Sequence, residues 1–261
     1  MPLATKDRFS ELRGKVVLVT GAGSGIGSAL AEAFAHCGVR LVMHCHQSGT
    51  EAERRAAEYR QLGCEVLLLT GDFTHSADVA AVTEAALKQF GRIDVLVNNA
   101  GSMVARRPIA EVDDSFIDEV FNLNARSVVT ACRCVVPGFV AQGGGVIINV
   151  SSISARTGGS SGSSIYSASK AFVNTLTRAL ARELAGSKIR VNAVSPGTFD
   201  TAFHQRFSSR EKLELTRQGI PQQRLGQPVD CAGTVLYLAC AELSGYLTGQ
   251  VIELNGGQWM G

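Results

Sequence analysis

Seven short apolar runs, each closed by turn residues, constrain this chain most: "KVVLVTG", "RLVMHC", "EVLLLTG", "IDVLVNNAG", "GVIINVSS", "IRVNAVSPG" and "QVIELNGG". None alternates strictly between apolar and polar. A strand with one wet face would alternate, so these runs read as strands covered on both faces, the condition of a parallel sheet. Helical patterns lie between them. Ile26, Leu30, Ala33, Phe34 and Cys37 recur at three- and four-residue spacing and mark one buried helical face. Strands joined by helical crossovers predict one doubly wound α/β domain. A chain of 261 residues, 45% hydrophobic, can bury a full core in that single domain.

Other classes are disfavoured. The formal charge is +2 and the basic residues are scattered, so no basic stripe points to nucleic acid. No apolar run approaches the roughly 18 residues of a membrane span. "ACRCVVPGFVA", the nearest, is broken by Arg133 and Pro137. The N-terminus, "MPLATKDRFSELRGK", carries no signal-peptide core. Seven unclustered cysteines in apolar contexts read as buried thiols of a reducing compartment, so a cytoplasmic protein is expected.

In a doubly wound fold, ligands sit outside the carboxyl ends of the strands. The first such end carries "TGAGSGIG", with glycines at 21, 25 and 27 ahead of a helix. Glycines let backbone turn tightly and approach a pyrophosphate, whose charge a helix N-terminus stabilises. Another end opens the serine-rich stretch "SSISARTGGSSGSSIYSASK", Ser151 to Lys170. As a linker it would cut a regular strand–helix alternation; as a loop it holds reactive groups. Tyr166 and Lys170 are four residues apart at a helix start and so share one face. A phenol of pKa near ~10 is too weak an acid for neutral pH, and a nearby ammonium favours its ionised form. A serine at the preceding strand end adds a hydrogen bond to a substrate oxygen. Ser151, Ser152 and Ser154 are the candidates, and consecutive strand side chains face opposite ways, so Ser151 and Ser152 cannot both serve. In "HCH", His44, Cys45 and His46 alternate faces in the same way, and no metal is expected.

Together, "TGAGSGIG", "NNAG" at 98–101, "YSASK" at 166–170, "SPG" at 195–197 and "TGQVIELNGG" at 248–257 stand in the order found in short-chain dehydrogenases/reductases. The chain resembles that family from about Leu12 to its C-terminus. The resemblance implies a single Rossmann domain over 1–261 with a seven-stranded parallel sheet. It also implies an NAD(P)-dependent interconversion of a carbonyl and a secondary alcohol. Gly21, Ser24, Gly25, Ile26 and Gly27 would form the cofactor's pyrophosphate turn. Cys45 stands where the family's NAD enzymes carry an acid, with His46 after it; the missing carboxylate leans towards NADP, although Ser24 stands where NADP enzymes often carry a base. Asp72 and Phe73 would meet adenine, with Thr74 or Ser76 left as the helix cap. Asn98, Ala100 and Gly101 would brace the cofactor region, and Pro196, Gly197, Phe199 and Thr201 would hold the nicotinamide carboxamide.

By the same resemblance Asn124, Ser152, Tyr166 and Lys170 form the catalytic set. Lys170 would also hold the nicotinamide ribose, and Asn124 a water. The gap from Ser152 to Tyr166 is fourteen residues, one more than usual in the family, which places the extra residue in the glycine–serine run 158–164. Phe199, Phe203 and Phe207 repeat at helical spacing, so 198–219 reads either as packing or as a substrate lid. A small free carbonyl, sugar or polyol is the expected substrate. A 3-oxoacyl-carrier-protein reductase is the alternative, with Arg106, Arg107, Arg133, Lys188 and Arg190 as its thin basic surface; a cofactor-binding regulator would not need the proton relay. The family's homotetramers bury helices around 112–139 and 164–186 and the C-terminal strand, where Trp259 and Met260 lie.

Overall fold

Val16–Val19 form an interior strand, β1, and all of its side chains are buried. The computed structural model describes residues 9–47 and 49–261, so the polar start of the chain, 1–8, lies outside the described residues. The remaining apolar runs become β2 (Arg40–Cys45), β3 (Glu65–Thr70), β4 (Val95–Asn98), β5 (Gly145–Val150), β6 (Ile189–Pro196) and β7 (Val251–Leu254). Every neighbouring pair is parallel, in the order β3-β2-β1-β4-β5-β6-β7. The chain winds outward from β1 in one direction and from β4 in the other. A crevice therefore opens between the carboxyl ends of those two strands.

Helices α1 (Gly25–His36), α2 (Thr50–Gln61), α3 (Ser76–Phe90), α4 (Asp114–Phe121), α5 (Ser127–Ala141), α6 (Ser154–Thr157), α7 (Ser164–Leu184), α8 (Ala202–Phe207), α9 (Arg210–Gly219), α10 (Ala232–Ala239) and α11 (Ala241–Ser244) follow in chain order. Period-two alternation divides β1 between two cores. Val17 and Val19 pack with Leu30 and Phe34 of α1 and Val235 of α10, while Val16 and Leu18 pack with Val82 of α3, Val135 of α5 and Val173 of α7. The expectation of strands covered on both faces holds for this reason. Cys45, Cys64, Cys132, Cys231 and Cys240 are buried. Among the described residues, no helix is long and apolar enough to cross a membrane.

Two features serve the site directly. Between α4 and α5 the chain makes a π-helical turn, Asn122–Arg126, a departure that is frequent at functional sites. A third, smaller apolar cluster of Met103, Phe116, Val120 and Tyr166, with Phe203 and Phe207 against it, builds up around Tyr166.

Candidate active site

A cleft of about 1080 Å³ runs over the carboxyl ends of the strands. Its floor is the turn after β1. Gly21 and Gly25 adopt φ of 65° and 54°, and a Cβ on Gly27 would stand 2.2 Å from the Gly21 carbonyl oxygen. Only glycine lets α1 start that close to the turn. No side chain caps α1, so its first N–H groups line the cleft without a capping acceptor.

His44 ties three strand ends together beneath this turn. Its Nδ1 accepts from the Gly21 N–H at 3.3 Å, and its Nε2 donates to the Gly71 carbonyl at 3.0 Å, an acceptor that fixes the tautomer. The ring stacks on Phe73 with centroids 3.6 Å apart. Burial holds its pKa down to about 4, so it stays neutral. Cys45 is buried beside Gly23, while His46, Gln47 and Asp72 line the cleft here without an arginine or lysine. Asp72 folds its own turn, its Oδ1 accepting from the Thr74 N–H at 2.9 Å and the Thr74 hydroxyl at 2.7 Å. Neither Thr74 nor Ser76 caps α3, whose N-cap is His75 with no side-chain bond.

Asn98 is placed differently from expectation. It ends β4 opposite Asn149 of β5, and its amide donates to Asn149 Oδ1 at 2.9 Å inside the protein. Its neighbour Asn99 reaches the cleft, its amide donating to the carbonyls of Thr20 at 2.9 Å and Gly21 at 3.0 Å. The alternation that separates the serines also separates these asparagines.

Tyr166 and Lys170 project from one face of α7 into the cleft. The serine alternation is realised: Ser151 turns inward and donates to the Lys170 carbonyl at 3.3 Å, while Ser152 lines the cleft close enough to Tyr166 to lower its pKa. Ser154 contributes through its backbone N–H, which donates to Ser152 Oγ at 3.1 Å. Burial pushes the Tyr166 pKa up to about 12, against the lowering influence of Ser152. Burial also brings Lys170 down to about 8. Its ammonium donates to the Val150 carbonyl at 2.9 Å and lies 5.9 Å from the Tyr166 ring centroid. Desolvation sets the phenol's pKa here, and Ser152, not the lysine expected to do so, lowers it.

Asn124 is fully buried behind the cleft, its amide donating to the carbonyls of Ser102 at 2.8 Å and Val120 at 2.9 Å. A Cβ on Gly101 would come within 2.7 Å of Asn124 Oδ1 and 3.0 Å of Lys170 Nζ, so the glycine leaves those two groups facing one small space.

Pro196, Gly197, Phe199 and Thr201 close the far wall, with Thr201 3.5 Å from where a Gly25 Cβ would stand. The phenylalanine stripe splits. Phe199 precedes α8 and is buried in the main core, whereas Phe203 stacks obliquely over Tyr166 with centroids 5.7 Å apart. Sequence reasoning missed Asn99, Met103, His204 and Gln258 as lining residues. The rule that consecutive strand side chains face opposite ways could have found Asn99. Gln258, whose Oε1 accepts from the Thr198 N–H at 3.2 Å, arrives from a segment sixty residues away.

A family model described as "Enoyl-(Acyl carrier protein) reductase" matches residues 21–258. This chain belongs to the short-chain dehydrogenase/reductase family. It is 37% identical over 246 residues to the 3-oxoacyl-[acyl-carrier-protein] reductase FabG of Thermotoga maritima, covering 94% of this chain and 98% of that one. It is 35% identical to the NADPH-dependent aldehyde reductase 1, chloroplastic, of Arabidopsis thaliana, over 95% and 87% of the two chains. Among solved structures, 7α-hydroxysteroid dehydrogenase complexed with NADH and 7-oxo glycochenodeoxycholic acid superposes with a TM-score of 0.91 at 30% identity, covering 98% of each chain. The short-chain dehydrogenase described here is accordingly an NAD(P)-dependent oxidoreductase.

Proposed function

We propose that this enzyme interconverts a carbonyl and a secondary alcohol on a small molecule, with Tyr166 exchanging the proton and Ser152 binding the reacting oxygen. The convergence of Ser152, Tyr166 and Lys170 in the cleft that begins at the glycine turn, with Ser152 lowering the Tyr166 pKa, carries this reading. The cleft residues fit a dinucleotide. Gly21, Ser24, Gly25, Ile26 and Gly27 offer uncapped N–H groups to a pyrophosphate; Cys45 and His46 would meet the adenosine ribose, and Asp72 and Phe73 the adenine. Ala100, Gly101, Pro196, Gly197, Phe199 and Thr201 would flank the nicotinamide, with Tyr166 and Lys170 at its ribose. When bound, the nicotinamide supplies or takes the hydride. Lys170, through a water that Asn124 would hold in the space the two share across Gly101, would pass the proton onward.

NADP(H) is the preferred cofactor on this reading, because no carboxylate stands at Cys45 to repel a 2′-phosphate. The segment 198–219 acts as a lid, since Phe203 and Phe207 cover Tyr166. A second reading, 3-oxoacyl-carrier-protein reductase, draws on the Thermotoga relative. Its basic surface is thinner than the residue types suggest. Arg190 is buried and donates to Ser244 Oγ at 3.0 Å, and Arg107 pairs with Asp113 at 2.9 Å. Incubating the enzyme with either reduced cofactor and a panel of ketones, sugars and acyl thioesters, and with either oxidised cofactor and polyols, with cofactor absorbance followed, tests both. Turnover of none of them would refute the oxidoreductase assignment.

A further inference from the structure

The substrate end of the cleft holds a pair of cations that the proton relay does not use. Arg106, on the loop after β4, donates through Nε to the Phe207 carbonyl at 2.6 Å and through Nη1 to Ser160 Oγ at 2.8 Å and the Ser161 carbonyl at 3.0 Å. Lys212, in the first turn of α9, donates to the same Ser160 Oγ at 3.1 Å. Two positive groups therefore converge on one neutral oxygen. Among the described residues, no carboxylate forms an ion pair with either; the carboxylates of the cleft lining are Glu51, Asp72 and Glu119.

Both bonds to Ser160 are exposed, so water screens the two charges until a ligand displaces it. Burial and the Arg106 charge both lower the Lys212 pKa, and burial with Arg106 holds His204 down to about 4. Like charges without a counter-ion repel, and that repulsion grows as water is excluded. The loop carrying Arg106 is itself strained. Val104 has φ of 63° while the Ala105 N–H donates to the Met103 carbonyl at 2.7 Å, a positive-φ γ-turn on a β-branched residue. Strain of this kind persists where surrounding structure holds a segment for a task. Arg106, Lys212, Ser160 and Tyr166 line one and the same cleft.

We infer that Arg106 and Lys212 form a receptor for an oxyanion, a carboxylate or a phosphate, borne by the substrate away from its reacting carbonyl. The inference rests on the carbonyl–alcohol reading and narrows it to anionic substrates. The guanidinium keeps Nη2 for the anion, the ammonium keeps its other protons, and Ser160, accepting from both cations, can donate its own. Binding would neutralise the repulsion and draw α9 onto the loop after β4. Charge on the substrate thereby steadies the cover that Phe203 and Phe207 form over Tyr166.

The test compares matched pairs: levulinate and longer straight-chain keto acids against their methyl esters, and dihydroxyacetone phosphate against dihydroxyacetone. Wild type, Lys212→Met and Arg106→Gln are assayed with reduced cofactor, and each is read as the KM ratio of the anion to its neutral partner. Wild type should favour the anion by about tenfold or more, the scale of one charge-assisted hydrogen bond, and each substitution should erase most of that preference. Which pair shows the larger ratio identifies carboxylate or phosphate. Equal KM for both members in wild type, or a preference that survives Lys212→Met, overturns the inference. Arg106 also anchors Phe207, so Lys212→Met decides if Arg106→Gln loosens the fold. A second measurement needs no turnover: the rise in Tm caused by the same anions with cofactor present, which Lys212→Met should abolish. Turnover of the neutral ketones without anion preference defeats only this inference, whereas no turnover of any carbonyl defeats the oxidoreductase reading and leaves the Tm measurement to judge the anion site.

Discussion

At the scale of single residues, chemistry here is decided by which way a side chain faces and by how dry it is. Ser152 touches Tyr166, Ser151 bonds the Lys170 carbonyl, and Ser154 helps only through its backbone. Ser152→Ala should therefore lose about 10²–10³-fold in kcat, the usual effect of removing one donor to a developing oxyanion. Ser154→Ala keeps its N–H and should lose less than about tenfold. Parallel kinetics on the two variants check this, and the reverse order would assign the role to Ser154. Strand alternation excluded a shared role for Ser151 and Ser152, and the resemblance to the family chose between them. The pKa values were not legible, because desolvation depends on everything packed around a group. Lys170, brought down to about 8, carries its charge below that pH and loses it above. Since kcat/KM reports the free enzyme, reduction should fall off as pH rises through about 8. A profile still flat at about pH 10, the ordinary range of lysine, would show the ammonium to be unshifted or unused.

At the scale of elements, the ends of β1, β2 and β3 act as one unit held by neutral His44. The sequence shows an "HCH" run but not this brace, because Gly21 and Gly71 become its partners only through strand order. Asn98 takes the structural role inside the sheet while Asn99 faces the cleft, a difference that a boundary residue's spacing alone does not decide. The phenylalanine spacing fitted one helix, yet α8 begins three residues after Phe199, so the stripe divides between core and lid. At the end of β2, Cys45 lines the cleft beside Gly23, where a Cβ would lie 3.0 Å from its thiol. Cys45→Asp should shift preference from NADP(H) towards NAD(H), by repelling a 2′-phosphate and accepting from a ribose hydroxyl. Titration of both cofactors into wild type and variant reads this out. Tighter binding of NAD(H) than of NADP(H) by the wild type would refute it.

At the scale of the molecule, the architecture was the most legible part. Continuous apolar runs and intervening helical periods specify a parallel doubly wound sheet, and all seven runs became strands. What was not legible joins distant segments: Gln258 reaching Thr198, and Arg106 and Lys212 meeting at Ser160. Assembly belongs to this scale too. Phe172 on α7, Val129 and Val140 on α5, and Tyr246 and Met260 nearer the C-terminus are exposed apolar groups on or near the segments the family buries between subunits. Sedimentation equilibrium should give four times the chain mass of 27.6 kDa, and a monomer mass would refute the tetramer. The central claim is that Tyr166 transfers the proton in a carbonyl–alcohol reaction. It is tested most directly by wild type and Tyr166→Phe on the best substrate of the carbonyl panel, with cofactor affinity titrated alongside. The variant should lose about 10²–10⁴-fold in kcat while binding cofactor as the wild type does. A near-normal rate in Tyr166→Phe would contradict the account.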